Sequence, residues 1–254
     1  MRVSSTIISA ALIAACAGTA SAALLFDNAT AFETAPPTES FTATGSTPNT
    51  FMGDAYGLVP GATSITGFDI YPVNLSTTNF TGLKINIFVW GTVNTGAVSA
   101  ATPAFSNLLG SFTLTTGTGA FNSGSFFPFE GSPVGSAPGI TLGAPLAIPS
   151  NVIGLTFNYQ GTTDGTNYSS INSLTSLIVL GAAPTVGTNI LGGATGGYYR
   201  NANSETNGNF TSALRSVTGT NENLAVRIYG DVPAPGACAL VGLGGLAFAR
   251  RRRA

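Results

Sequence analysis

The chain has 254 residues, of which only 7% are charged and none is histidine. An ordinary globular domain carries roughly 25% charge, so surface helices have little to be built from, and the commonest general base and catalytic zinc ligand are both missing. The formal net charge of −1 hides an uneven distribution: between residues 23 and 231 the basic residues are Lys84, Arg200, Arg215 and Arg227, against all ten acidic ones, a net charge of −6. An acidic body excludes nucleic acid as a partner, because that needs a basic face.

The first segment reads MRVSSTIISAALIAACAGTASA. Arg2 supplies a positive start, residues 7–17 an apolar stretch, and Ala20-Ser21-Ala22 a small-x-small cleavage site, so residues 1–22 are expected to be a helical signal peptide cut after Ala22. A second reading stays open: Ile13-Ala14-Ala15-Cys16 resembles a bacterial lipobox, in which Cys16 would carry lipid. The other cysteine, Cys238, also lies in a terminal apolar segment, so the body has no disulfide framework and no cysteine metal site. No cofactor is expected.

From residue 23 to 231 the sequence predicts one body of short strands separated by turn residues. A strand opens it at 24–26, and another is expected over 64–73. The clearest is 82–91, where Leu83, Ile85, Ile87 and Val89 share one face and Lys84 and Asn86 begin the other, the period-two alternation of a half-buried strand. Strands follow over 108–117 and 151–161, the latter with Ile153, Leu155, Phe157 and Tyr159 on one side, and between them 139–148 reads as one or two short strands, interrupted at Pro145. Residues 173–181 read as a strand or a short helix, and 222–231 closes the body with Leu224, Val226 and Ile228 opposite Ala225, Arg227 and Tyr229. Long loops are expected at 92–107, 118–138 and 182–209. The fold class is all-β: an antiparallel β-sandwich, jelly-roll-like, flanked by the signal helix and a C-terminal apolar helix.

Chemistry is harder to find in this body. The carboxylates Asp54, Asp69, Glu130, Asp164, Glu205 and Glu222 each stand alone in their stretch and read as solvated groups or turn formers. Asp164-Gly165 reads as a type I′ hairpin turn, although an oxygen-rich Asp/Asn/Thr loop can also hold calcium. The stretch 192–210, rich in glycine and asparagine, reads as a surface loop. A sharper reading makes Tyr198, Tyr199 and Arg200 an exposed recognition patch for sugar rings, with Trp90 a further aromatic to test.

The chain closes on Val232-Pro233-Ala234-Pro235-Gly236, an apolar glycine-containing stretch, and then Arg250, Arg251, Arg252 and Arg253. The uncharged stretch is marginal in length for a membrane span, and terminal arginines would hold its end on the cytoplasmic side. Together with the signal peptide, this order resembles the PEP-CTERM sorting signal of bacterial surface proteins, with alanine where that family usually has glutamate, a form similar to variants in planctomycete-like bacteria. The resemblance covers residues 232–254. It implies processing by an exosortase near the proline motif, transient anchoring in the inner membrane by the C-terminal helix, and an envelope, extracellular-matrix or biofilm setting.

Three readings of the body follow. The first is a non-catalytic structural or adhesive protein, exported through the secretion machinery to the cell surface or beyond. The second is a secreted carbohydrate-binding module, which makes polysaccharide its partner. The third is a hydrolase using two carboxylates, which requires those groups to converge in a cleft.

Overall fold

The computed structural model describes residues 22–30, 51–99, 101–170, 174–176, 178–180, 183–191, 197–201 and 222–233. The signal segment before Ala22, Cys16, Glu205 and the tail from Ala234 onward lie outside the described residues. Within them the chain is all-β and its sheets are antiparallel. The strands in chain order are β1 (Ala23–Asp27), β2 (Phe51–Gly57), β3 (Ser64–Ile70), β4 (Pro72–Asn74), β5 (Gly82–Val93), β6 (Phe105–Thr115), β7 (Ser125–Phe126) and β8 (Ile140–Ala147). They continue with β9 (Val152–Thr162), β10 (Ser169–Ser170), β11 (Leu174–Ser176), β12 (Ile178–Leu180), β13 (Thr188–Asn189), β14 (Tyr199–Asn201), β15 (Glu222–Leu224) and β16 (Val226–Asp231).

Two sheets carry the core. One has the order β1-β16-β3-β8; the other runs β13-β2-β9-β5-β6, with β10 added on β9 and β14 on β2. One contiguous apolar cluster draws on both. Leu25, Phe26, Ile65, Phe68, Val226 and Ile228 come from the first sheet, and Met52, Tyr56, Leu83, Ile85, Ile87, Val89, Ile153, Leu155, Phe157 and Tyr159 from the second. The alternation read from the sequence of β5 is therefore its inward face. A second, smaller cluster of Phe51, Ala55, Trp90, Ala104, Phe105, Leu191 and Tyr199 covers the opposite face of the larger sheet. For this reason β2 and β9 are buried on both faces, and Thr156 and Asn158 lie as deep as their apolar neighbours.

Several expected boundaries move. The sequence pattern misses β2, because Phe-Met-Gly-Asp-Ala-Tyr-Gly has no alternation. It is a strand because it pairs with β9 over its whole length, from Phe51↔Asn158 to Gly57↔Val152. The loop expected at 92–107 shrinks to 94–104, since β5 continues to Val93 and β6 starts at Phe105. Within 173–181 the described residues are strand, β11 paired with β4 and β12 with β15. The long loop expected from 182 contains β13 and β14, both paired with β2. The expected 118–138 loop holds only the two-residue β7.

Close packing makes one glycine indispensable. A Cβ on Gly154 of β9 would come within 2.3 Å of Phe105 Cδ1 and 2.7 Å of its Cε1. The Phe105 ring lies on the bare backbone and meets Tyr199 edge-on, with centroids 5.8 Å apart. Gly154→Ala is expected to push this ring out of the smaller cluster and to cost about 1–3 kcal/mol in a urea denaturation measurement.

Candidate functional site

Two of the residues singled out as a recognition patch, the tyrosines, are not exposed. Tyr198 and Tyr199 are 1% and 3% exposed. Pairing of β14 with β2, Tyr199 opposite Gly53, draws this stretch onto the larger sheet, and burial raises the Tyr199 phenol above its ordinary pKa. Arg200 belongs to the same strand and pairs with Met52. Trp90 is buried too, and its indole Nε1 donates to Thr156 Oγ1 at 3.0 Å. The aromatics that a sugar-binding face would present are spent on packing.

The carboxylates behave differently from their isolated appearance in sequence. Asp69 on β3 and Glu130, in the loop before β8, both approach the guanidinium of Arg227 on β16, and a third carboxylate, Asp27 at the end of β1, joins them. The contacts are Arg227 Nε to Asp27 Oδ1 at 3.2 Å, Nη1 to Asp69 Oδ2 at 3.6 Å and Nη1 to Glu130 Oε2 at 3.4 Å. Nη1 also donates to the Tyr71 hydroxyl, and Nη2 to Thr30 Oγ1. Arg227, Asp27 and Asp69 are at most 3% exposed, so Asp69 is not a solvated carboxylate. The pairing is dictated by topology: β16 lies between β1 and β3, with Asp27 and Asp69 each directly opposite Arg227.

Each carboxylate has further donors. Asp27 accepts from the Ala29 and Thr30 N–H groups and from Thr185 Oγ1; Asp69 accepts from Gly139 N and the Tyr229 hydroxyl. Tyr71 donates to Glu130 Oε2. Burial raises Tyr71 against the opposing pull of Arg227, and burial together with the hydrogen bond to Asp69 raises Tyr229. Three carboxylates therefore do converge. They close on a buried guanidinium that stays protonated throughout the accessible pH range, and among the described residues no group of three or more Cys, Asp or Glu is placed to hold a metal ion.

Asp54 forms a second polar centre in the interior. It is fully buried on the inward face of β2, and its carboxyl accepts from its neighbour Ala55 N at 2.7 Å and from Leu224 N at 2.9 Å. Leu224 ends β15, and Val226 begins β16. The backbone at this junction is held by Asp54 and by Asn28, whose Nδ2 donates to Leu224 O while its Oδ1 accepts from Val226 N. Desolvation raises the Asp54 pKa well above the carboxylate range, against the lowering effect of the two N–H donors.

Asp164 is the turn former that its sequence suggests, but not in a type I′ turn. Gly165 has φ +78°, whereas among the described residues the non-glycine with positive φ is Asn107. Asp164 Oδ1 accepts from Thr166 N and Asn167 N, and Asn167 Nδ2 donates to Oδ2. These donors hold its carboxyl well below the usual range. No protein-family profile, no curated protein and no solved structure matches this chain.

Proposed function

We propose that this chain is an exported bacterial protein of the cell surface or extracellular matrix, structural or adhesive and without catalytic activity, delivered by its two ends. The observation that carries this is the pair of terminal signals. A small-x-small cleavage site ends at Ala22, and a Pro233-Ala234-Pro235-Gly236 segment precedes an apolar stretch and Arg250, Arg251, Arg252 and Arg253. The fold supports the division of the chain: β1 starts at Ala23, β16 ends at Asp231, Val232 still packs on the core and Pro233 is exposed. On this reading residues 23–231 form a jelly-roll-like β-sandwich, a form supported by the common core of the two large sheets. The tail is handed to an exosortase-type enzyme after transient anchoring.

Fractionation of the native organism with mass spectrometry of the mature termini tests the proposal. The expected product begins at Ala23, is found outside the plasma membrane, and ends within the proline segment. Recovery of the chain in the cytosol with both ends uncut overturns it. A chain beginning at Cys16 keeps export and replaces the leader type.

A further inference from the structure

From Ile85 to Thr163 the sequence carries one charged residue, Glu130, and Glu130 faces Arg227. This span builds most of β5 and all of β6, β7, β8 and β9, and so contains one terminal strand of each large sheet, β6 and β8. Among the described residues, the large apolar side chains left exposed are Leu108, Phe126 and Val134, all within it. Natural sheets guard their edges with charge, proline, bulges or covering segments.

The terminal strands differ in how they are guarded. β1 is covered on its outer side where Asp27 N donates to Val186 O and Val59 N to Leu25 O. β8 carries Pro145, and its register with β3 breaks between Ile65 and Gly67. β6 has a bulge only at its start, where Asn107 takes φ +59° and the register slips between Val89 and Trp90. From Gly110 to Thr115 it is regular, uncharged and free of proline. Thr116 N donates to Leu83 O. Alternation along an antiparallel ladder then directs the N–H and C=O groups of Ser111, Thr113 and Thr115 away from β5, and the side chains of these residues are exposed.

We infer that the β6 edge is a self-association site, where Ser111, Thr113 and Thr115 pair antiparallel with the same residues of a second copy. The occupant follows from charge. Two copies with a body charge of −6 repel one another over most of their surface, and the span from Ile85 to Thr163 is where that repulsion is weakest. An identical antiparallel strand is self-complementary about a two-fold axis. An axis at Thr113 sets Thr113 against itself and Ser111 against Thr115 of the second copy, each pair exchanging two backbone hydrogen bonds. Lys84 sits on β5 opposite Thr115 and does not enter these pairs.

Sedimentation velocity on the full chain, from about 1 to 100 µM, tests this. The wild type is expected to move from monomer to dimer with concentration. Ser111→Pro removes an outward N–H without touching the β5 ladder, and Thr113→Lys sets two ammonium groups at the axis. Both are expected to remain monomeric across the range with a thermal midpoint close to wild type, the lysine variant serving if the proline variant does not fold. Three results overturn the inference: a wild-type monomer throughout, association through the apolar ends that neither variant alters, or association abolished by Phe126→Ser with Val134→Ser but not by Ser111→Pro.

Discussion

Arg227→Met is expected to lower the unfolding free energy by about 3–5 kcal/mol, a large part of the 5–15 kcal/mol that holds a domain folded. The methionine fills much of the volume, so the loss is electrostatic. Asp27 and Asp69 remain buried with no cation between them, and Glu130 loses its partner at 3.4 Å. Arg227→Lys is expected to recover only part, because one ammonium cannot serve the three carboxylates and Thr30 that the planar guanidinium reaches from Nε, Nη1 and Nη2. Adding Asp27→Asn and Asp69→Asn to Arg227→Met is expected to return stability toward wild type, since the cost of stranded charge disappears with the charge. Urea denaturation with an unchanged m-value is the measurement. A single Arg227→Met variant as stable as wild type would show that the cluster carries no net folding energy.

Much of this fold is legible in the sequence wherever a strand has one face against the core. The alternation in β5 names its inward residues correctly, and the same holds for Ile153, Leu155, Phe157 and Tyr159 in β9. Legibility fails where the alternation is broken, or where the polar face it marks out is itself covered. Pattern alone puts Arg227 on the polar side of β16, but Thr30, Tyr71 and Glu130 close on its guanidinium, and the polar side is also interior. β2 gives no periodic signal because Gly53, Asp54 and Gly57 interrupt it, and only its partner β9 explains it. Tyr198 and Tyr199 sit in a stretch whose glycines and asparagines suggest a surface loop, and pairing with β2 buries them. The carboxylates are far apart along the chain, and Asp27 draws no notice in a strand of four other residues. Their convergence is a product of strand order, which local spacing does not encode. The charge-free run from Ile85 to Thr163 is plain in the sequence, whereas its meaning depends on which strands end the sheets.

The interior carboxyl at Asp54 gives the second large effect, and its signature is a slope with pH. Its folded pKa is raised, chiefly by burial, so the folded state holds a proton that the unfolded chain releases near pH 4. The stability that Asp54 contributes is full below that point and declines as pH rises through the folded value. Asp54→Asn stays neutral and keeps one of the two acceptor oxygens. The difference in unfolding free energy, wild type minus variant, is expected to be largest in acid and to shrink as the pH rises. Taking the difference cancels the opposite contribution of Asp164, whose depressed pKa adds stability that is lost as pH falls. Asp54→Ala is expected to cost about 2–4 kcal/mol at low pH, since Leu224 N and Ala55 N both lose their acceptor in a fully buried site. The damage should be local before it is global. Leu224 and Val226 sit at the junction of β15 and β16, so hydrogen exchange in the Asp54→Ala variant is expected to rise first at Leu224, with the Arg227 end of β16 following only on global unfolding. A flat pH difference profile, or uniform loss of protection along β16, would mean that Asp54 is charged in the folded protein or that it does not hold this junction.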